Sequence, residues 1–224
     1  QFPTTSVSNC FNQNGISVYS QFQRANGQIQ LGLFVTQNGQ NVSGGCQLII
    51  QNNPFGLTCQ NTANINNGTA IFQMGMDASH SNKQSPTIPF TLNATLLYNG
   101  QQMNLGLKMN IIVLFNENSK LSGQPFVQFF QQNKEQPFNS NVFNYPKYNN
   151  EEDVKAIFEK NNILLSAKQA KANPPTTFYS TNVLGNMPIL VTTFLNNNIV
   201  NVKIIANNPS IVPLMKEGID YLLG

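Results

Sequence analysis

Residues 26–39 read Asn26-Gly27-Gln28-Ile29-Gln30-Leu31-Gly32-Leu33-Phe34-Val35-Thr36-Gln37-Asn38-Gly39. Ile29, Leu31, Leu33 and Val35 recur at period two, as side chains do when a strand turns one face to a core. An Asn-Gly pair closes the run at each end, and such pairs favour the tight turns of β-hairpins. The stretch therefore predicts a strand held between two turns.

The same pattern repeats outward from it. Ile16, Val18 and Phe22 precede it, Cys46, Leu48 and Ile50 follow it, and 70–76, 88–98 and 103–115 are further strand candidates. Gly44-Gly45, Asn67-Gly68 and Asn99-Gly100 supply the intervening breaks. About seven short strands spaced by turn signals describe an immunoglobulin-like β-sandwich.

Near Ser119 the period changes. Ser122 is a candidate cap for a helix over 122–132, where Pro125 is tolerated early and Phe126, Phe129 and Phe130 fall at i, i+3, i+4. A helix over 151–161 has Asn150 as its cap, Glu151, Glu152 and Asp153 matched to the positive N-terminal dipole, and a stripe of Val154, Ile157 and Phe158. Strand-like runs follow at 163–169, 177–184, 188–195 and 199–206, and a last helix after Ser210 carries Ile211, Leu214, Met215, Ile219 and Leu222 on one side. This half predicts an α+β lobe with helices packed on an antiparallel sheet.

Charge divides the chain at the same place. Residues 1–107 contain only Arg24, Asp77 and Lys83, and every other charged residue lies from Lys108 onward. Across 224 residues there are 36 Asn and 21 Gln but only 12 Lys+Arg and 9 Asp+Glu, so most of the polarity is neutral. The net charge of +3 arises from few charges of either sign. A phosphate-tracking surface is not expected, and nucleic acid is excluded as a partner. No apolar run reaches the ~18 to 20 residues that span a bilayer. The absence of an initial Met and of a charged or apolar leader suggests a piece cut from a longer polypeptide.

Catalytic sets are absent. His80, the one histidine, sits in the loop-like run Ala78-Ser79-His80-Ser81-Asn82, whereas a triad needs residues converging from separate elements. Asp77 is the only carboxylate before Glu117, and no G-x-G-x-x-G, Walker A, H-E-x-x-H or G-x-S-x-G pattern occurs. Cys10, Cys46 and Cys59 are too few and too far apart for a zinc site, and they read as reduced thiols. The sequons at Asn41, Asn67 and Asn93 are what an Asn-rich chain yields by chance. A non-enzyme without metal or cofactor is expected.

Several segments resemble the appendage, or ear, domain of a beta-adaptin, the large beta subunit of heterotetrameric clathrin adaptors. They are Gly15-Ile16-Ser17, Arg24-Ala25-Asn26-Gly27-Gln28-Ile29, Gln51-Asn52-Asn53-Pro54-Phe55-Gly56-Leu57, Ile112-Val113-Leu114-Phe115 with Glu117 and Lys120, residues 161–168, and Phe178-Tyr179-Ser180. Their order and spacing cover residues 15–223. The resemblance implies a hinge or linker end at 1–14, an immunoglobulin-like sandwich at 15–118 and an α+β platform at 119–224. It also implies a non-catalytic role in clathrin-coated vesicle formation. Short peptide motifs of endocytic and sorting accessory proteins and cargo adaptors would bind the platform. Clathrin would be a further partner, as would the other adaptor subunits through the parent chain. The fragment would be monomeric and cytoplasmic, with only indirect membrane contact at coated pits or internal sorting membranes.

Carried over residue by residue, the resemblance implies a platform site of Phe130 and Tyr179, an exposed aromatic pair for a helical peptide with Phe or Leu anchors, with Gln131, Glu135, Lys168, Gln169 and Thr193 around it. The opposing reading places Phe130 in the core with Phe126 and Phe129. Gln169 and Thr193 stand where the family has an arginine and a glutamate, which implies neutral contacts and binding of low salt sensitivity. A second site on the side of the sandwich would fall at Asn104 with Met103 and Tyr98, where the family's tyrosine is missing. Two other readings share the pattern: the ear of another coat subunit (alpha or gamma adaptin, or the COPI-coat gamma subunit), and an extracellular adhesive sandwich.

Overall fold

The computed structural model describes residues 3–224. Two compact units divide between Val113 and Leu114.

In the first unit, period-two alternation and positive-φ turns produce ten strands among the described residues: β1 (Ser8–Gln13), β2 (Ile16–Ala25), β3 (Gln28–Gln37), β4 (Gln40–Asn41), β5 (Gly44–Ile50), β6 (Leu57–Cys59), β7 (Thr62–Ile65), β8 (Thr69–Met76), β9 (Thr91–Tyr98) and β10 (Gln101–Lys108). One antiparallel sheet runs β1-β2-β3-β8-β6, with β4 also on β3, and the other runs β10-β9-β5-β7. Inward-facing Val18, Phe22, Leu31, Leu33, Leu48 and Leu96 are fully buried. This is a β-sandwich built from the alternation read in residues 26–39.

The Asn-Gly pairs have one conformation throughout. Asn14-Gly15, Asn26-Gly27, Asn38-Gly39, Asn67-Gly68 and Asn99-Gly100 all place both residues at positive φ, with Asn at 47–52° and Gly at 73–82°. That is the type I′ turn, whose twist matches the strands it joins. It needs Asn, which tolerates the left-handed region, followed by Gly, which has no Cβ to clash there.

The structure draws four of the expected bounds differently. Residues 8–13 are a strand paired with β2, and Thr5 N–H donates to Phe22 O at 2.9 Å, so only Gln1 and Phe2 of the expected linker 1–14 lie outside the described residues. The run 88–98 starts its strand only at Thr91, because Pro89 lacks a ladder N–H. The run 103–115 ends its strand at Lys108, since the Asn110 side chain accepts from Ile112 N–H at 3.1 Å and turns the chain into a 3-10 helix, Ile111–Leu114. The division at Val113, not 118, has a matching cause: Phe115 bridges to Val183, and Leu184 N–H donates to Leu114 O at 3.0 Å.

The Asn53-Pro54-Phe55-Gly56-Leu57 turn is closed by one buried side chain. Asn53 Nδ2 donates to Gln51 O and Leu57 O at 3.1 and 2.8 Å, while its Oδ1 accepts from Phe55 N–H and Leu57 N–H at 3.2 and 2.9 Å. Gly56 sits at φ +63°, and a Cβ there would lie 2.5 Å from Asp77 O. Asn53→Ala leaves the Leu57 peptide groups unpaired and is expected to cost about 2 to 3 kcal/mol of stability, read from the urea midpoint.

The second unit holds α1 (Gly123–Asn133), β11 (Phe143–Tyr145), α2 (Glu151–Lys160), β12 (Leu164–Gln169), β13 (Thr176–Val183), β14 (Met187–Asn196), β15 (Ile199–Ala206) and α3 (Ile211–Leu223). Its five strands form one antiparallel sheet in the order β11-β15-β14-β13-β12. Asn150 caps α2 by accepting from Asp153 N–H at 3.0 Å while its Nδ2 donates to the Asp153 carboxylate at 2.8 Å. Ser122 precedes α1 without a side-chain cap bond. α1 packs on one face of the sheet, through Phe126 and Phe130 against Phe178; α2 packs on the other, through Phe158 against Tyr179.

Candidate functional site

Strand β13 decides which side chains meet. Along Thr176-Thr177-Phe178-Tyr179-Ser180-Thr181 successive residues face opposite layers, and helices cover both, so five of the six are buried. Toward α1 point Thr176, Phe178 and Ser180; toward α2 point Thr177, Tyr179 and Thr181. Ser180 Oγ accepts from Leu121 N–H at 2.7 Å, just ahead of α1.

On the α1 side three phenylalanines form one cluster. The rings of Phe126 and Phe130, one turn apart, are parallel to within 3° at 6.2 Å. Phe178 stands nearly perpendicular to both, at 5.5 and 5.2 Å, a T-shaped arrangement that suits the ring quadrupoles. Phe178 is only 3% exposed, while Phe126 and Phe130 are half-buried. Register extends the floor: Ala167, Phe178, Thr192 and Lys203 form one rung across β12 to β15, and Gln169, Thr176, Phe194 and Asn201 form the next. Gln169 is exposed, and Thr176, Phe194 and Lys203 are half-buried. An apolar shelf with a partly open polar margin that includes Lys203 lies beside α1.

The α2 side is closed chemistry. The Glu151 carboxylate, in the first turn of α2, accepts from Thr193 Oγ1 at 2.7 Å and from Thr177 Oγ1 at 3.2 Å. These threonines are register partners on β14 and β13, so one carboxylate ties the helix N-terminus to two strands. Tyr179 is 1% exposed and meets Phe158 edge-on at 5.2 Å. Burial, and then the nearby Glu151 charge, push its phenol well above the ordinary range. Glu152 pairs with Lys155 at 3.4 Å and Lys168 at 3.8 Å on the exposed rim.

The expected platform set is therefore split by the sheet. Phe130 and Gln169 stand on the α1 side, with Gln131 exposed on α1 and Glu135 exposed just beyond its end. Tyr179, Thr193 and Lys168 are corrected: all three face α2, two of them buried and engaged internally. The aromatic partner of Phe130 is Phe178, one residue earlier, and the threonine on that face is Thr192. Phe126, Phe178, Thr192, Phe194 and Lys203 stand on the α1 side with Phe130 and were not in the expected set; the i, i+4 spacing of Phe126 and Phe130 was the signal for the first.

The three residues of the expected side site have different surroundings. Asn104 lies on the outer face, where its Oδ1 accepts from Thr95 Oγ1 at 3.4 Å. Met103 points into the core at 2% exposure. Tyr98 lies at the end of β9, with its hydroxyl donating to Ser43 O at 3.2 Å.

Elsewhere the reactive groups are engaged structurally. His80 Nε2 lies 2.8 Å from Ile50 O, and Ser81 Oγ donates to Pro54 O at 3.2 Å, so no Ser–His pair forms. Hydrogen bonds from Ser79 hold the Asp77 carboxyl below its usual range. The three cysteines are free thiols; burial pushes Cys10 and Cys59 up to about 11 and raises Cys46, which disfavours the reactive thiolate. Among the described residues no group of three or more His, Cys, Asp or Glu side chains could hold a metal ion, and no helix is long and apolar enough to cross a membrane.

Residues 116–223 match the family model described as the beta2-adaptin appendage, C-terminal sub-domain. No curated protein matches the sequence closely.

Proposed function

We propose that the chain, whose residues 116–223 match the beta2-adaptin appendage C-terminal sub-domain model, is part of a clathrin-adaptor ear and a non-catalytic recruiter of short peptides. Its ligands are linear motifs of accessory proteins and cargo adaptors that serve clathrin-coated vesicle formation, with clathrin itself a further partner. It works in the cytoplasm and reaches membranes through the rest of its adaptor complex.

One observation carries this reading: half-buried Phe126 and Phe130 of α1 pack T-shaped on buried Phe178, beside the open Gln169–Phe194 margin. Rigid rings in a shallow trough offer large contact area at low entropic cost, as a helix-in-groove ligand requires. Catalysis finds no support in the arrangement, since the margin holds amides and hydroxyls and no paired acid and base.

The test is capture of peptides from coat-accessory proteins by the whole chain, compared with Phe130→Ala and Thr193→Val. Capture abolished by the first and untouched by the second supports the α1 face. Capture that survives Phe130→Ala sinks it.

A further inference from the structure

The five Asn-Gly pairs share one dipeptide and one turn, so their chemistry differs only through what surrounds each of them. That dipeptide is prone to modify itself. A Gly nitrogen that loses its proton can attack the Cγ of the preceding Asn and close a succinimide ring; the Cγ–Nδ2 bond breaks, and the amide leaves as ammonia with the proton that the nitrogen gave up. Water then adds across one of the ring's C–N bonds, which yields aspartate or isoaspartate without any change of oxidation state. Glycine admits the attack because it has no Cβ in the way.

At Asn67-Gly68 every atom of that reaction is held. Gly68 is buried, its N–H donates to Val42 O at 2.7 Å, and its carbonyl accepts from Val35 N–H at 2.7 Å. Asn67 N–H donates to Ser43 Oγ at 3.1 Å, and Asn67 Oδ1 accepts from Asn41 Nδ2 at 3.1 Å. The nitrogen that would attack and the amide it would attack are thus both tied to residues 41–43. Space is short as well, since a Cβ on Gly68 would lie 2.8 Å from Asn41 Oδ1.

Asn99-Gly100 has nearly the same backbone, with φ of 49° and 73°, in different surroundings. Both residues are exposed, and among the described residues nothing lies within 4 Å of where a Gly100 Cβ would sit. The pairing of β9 with β10 begins at Tyr98 and Gln101, which leaves the Gly100 N–H, at the second centre of a type I′ turn, facing water. An exposed hairpin tip also opens at little cost, and opening lets the nitrogen reach the amide carbon.

We propose that Asn99-Gly100 is a site of spontaneous deamidation, and that Asn41, Val42 and Ser43 lock Asn67-Gly68 against the same reaction. Residues 1–107 carry one net positive charge, from Arg24, Lys83 and Asp77, so one new carboxylate at position 99 cancels it. Isoaspartate has a second effect. It lengthens the backbone inside the turn that sets Tyr98 opposite Gln101.

The test follows the whole chain over time in warm, mildly alkaline buffer, once folded and once unfolded in urea, with aspartate and isoaspartate at each position read by peptide mass spectrometry. In the folded protein Asn99 is expected to convert at least about tenfold faster than Asn67, because several hydrogen bonds must open together before Gly68 can react. In urea the two should convert at similar rates. Amide hydrogen exchange gives a second readout, expected slow at Gly68 and fast at Gly100. Equal conversion of Asn99 and Asn67 in the folded chain overturns the proposal, as does equal protection of the two glycines. A difference that persists in urea overturns it too, since its cause would then lie in the neighbouring sequence and not in the lock.

Discussion

Alanine at Phe130 is expected to weaken peptide binding by about 30-fold or more, roughly the 2 kcal/mol of an aromatic hot spot. The ring is half-buried in the free protein, so it retains area for a ligand, and truncation removes both that area and one wall of the trough. The fold should tolerate the change. Phe126 keeps its edge contact with Phe178 at 5.5 Å, and Phe130 is only half-buried. Phe178→Ala is the less informative variant, because a ring only 3% exposed belongs as much to the core as to the site. Titration of a labelled ligand against wild type and Phe130→Ala decides the matter, with circular dichroism melts to show that both are folded. A change of less than twofold would remove Phe130 from the binding surface.

Truncation of Tyr179 is expected to act on stability. The side chain is 1% exposed, and deletion of a buried ring of this size costs about 3 to 5 kcal/mol, a large share of the 5 to 15 kcal/mol that holds a typical domain together. Tyr179→Phe keeps the ring against Phe158 and should lose only about 1 kcal/mol, with peptide binding unchanged. Urea unfolding of the two variants separates these outcomes; a Tyr179→Ala protein as stable as wild type but deficient in binding would return the residue to the site. The same burial gives a pH signature. Tyr179 and Tyr145 both have phenols raised above the ordinary 10.0, Tyr145 by burial and then by its 2.6 Å bond to Asp220. Between that value and the raised ones the unfolded chain releases protons that the folded chain keeps, so stability is present below pH 10 and falls as pH rises above it. Alkaline denaturation of wild type, eased in Tyr179→Phe, is the expected result.

Much of this was legible in the sequence, and the exceptions share one cause. The sandwich was readable because Ile29, Leu31, Leu33 and Val35 bury one face and leave the other wet, so alternation shows in composition. The helix over residues 151–160 was readable because Asn150 and three acidic residues mark its start. Strand β13 was not readable to the residue. With helices on both faces, Phe178 and Tyr179 are equally buried, and nothing in Thr-Thr-Phe-Tyr-Ser-Thr says which aromatic faces which layer. A one-residue ambiguity then transfers the whole set to the wrong side. The neighbouring Thr192-Thr193 pair carries the same ambiguity, and the register shift between Leu165 and Ala167 on β12 adds another that only pairing resolves. Charged Lys168 followed the slip, since its distance from Glu152 depends on the face it occupies.

The uniform Asn-Gly turns also bear on how the chain assembles in time. Four of the five close hairpins between paired strands, β1 with β2, β2 with β3, β3 with β4, and β9 with β10, while Asn67-Gly68 passes from one sheet to the other; Asn197-Asn198, both at positive φ, closes β14 on β15. Hairpins closed so locally form in about 1 to 10 μs. The pairings of Leu31 with Phe72 and of Leu48 with Leu96 close far longer loops and carry a correspondingly larger entropic barrier. The sandwich is therefore expected to reach its slow step with its hairpins already paired, so that what remains to be found is how they meet.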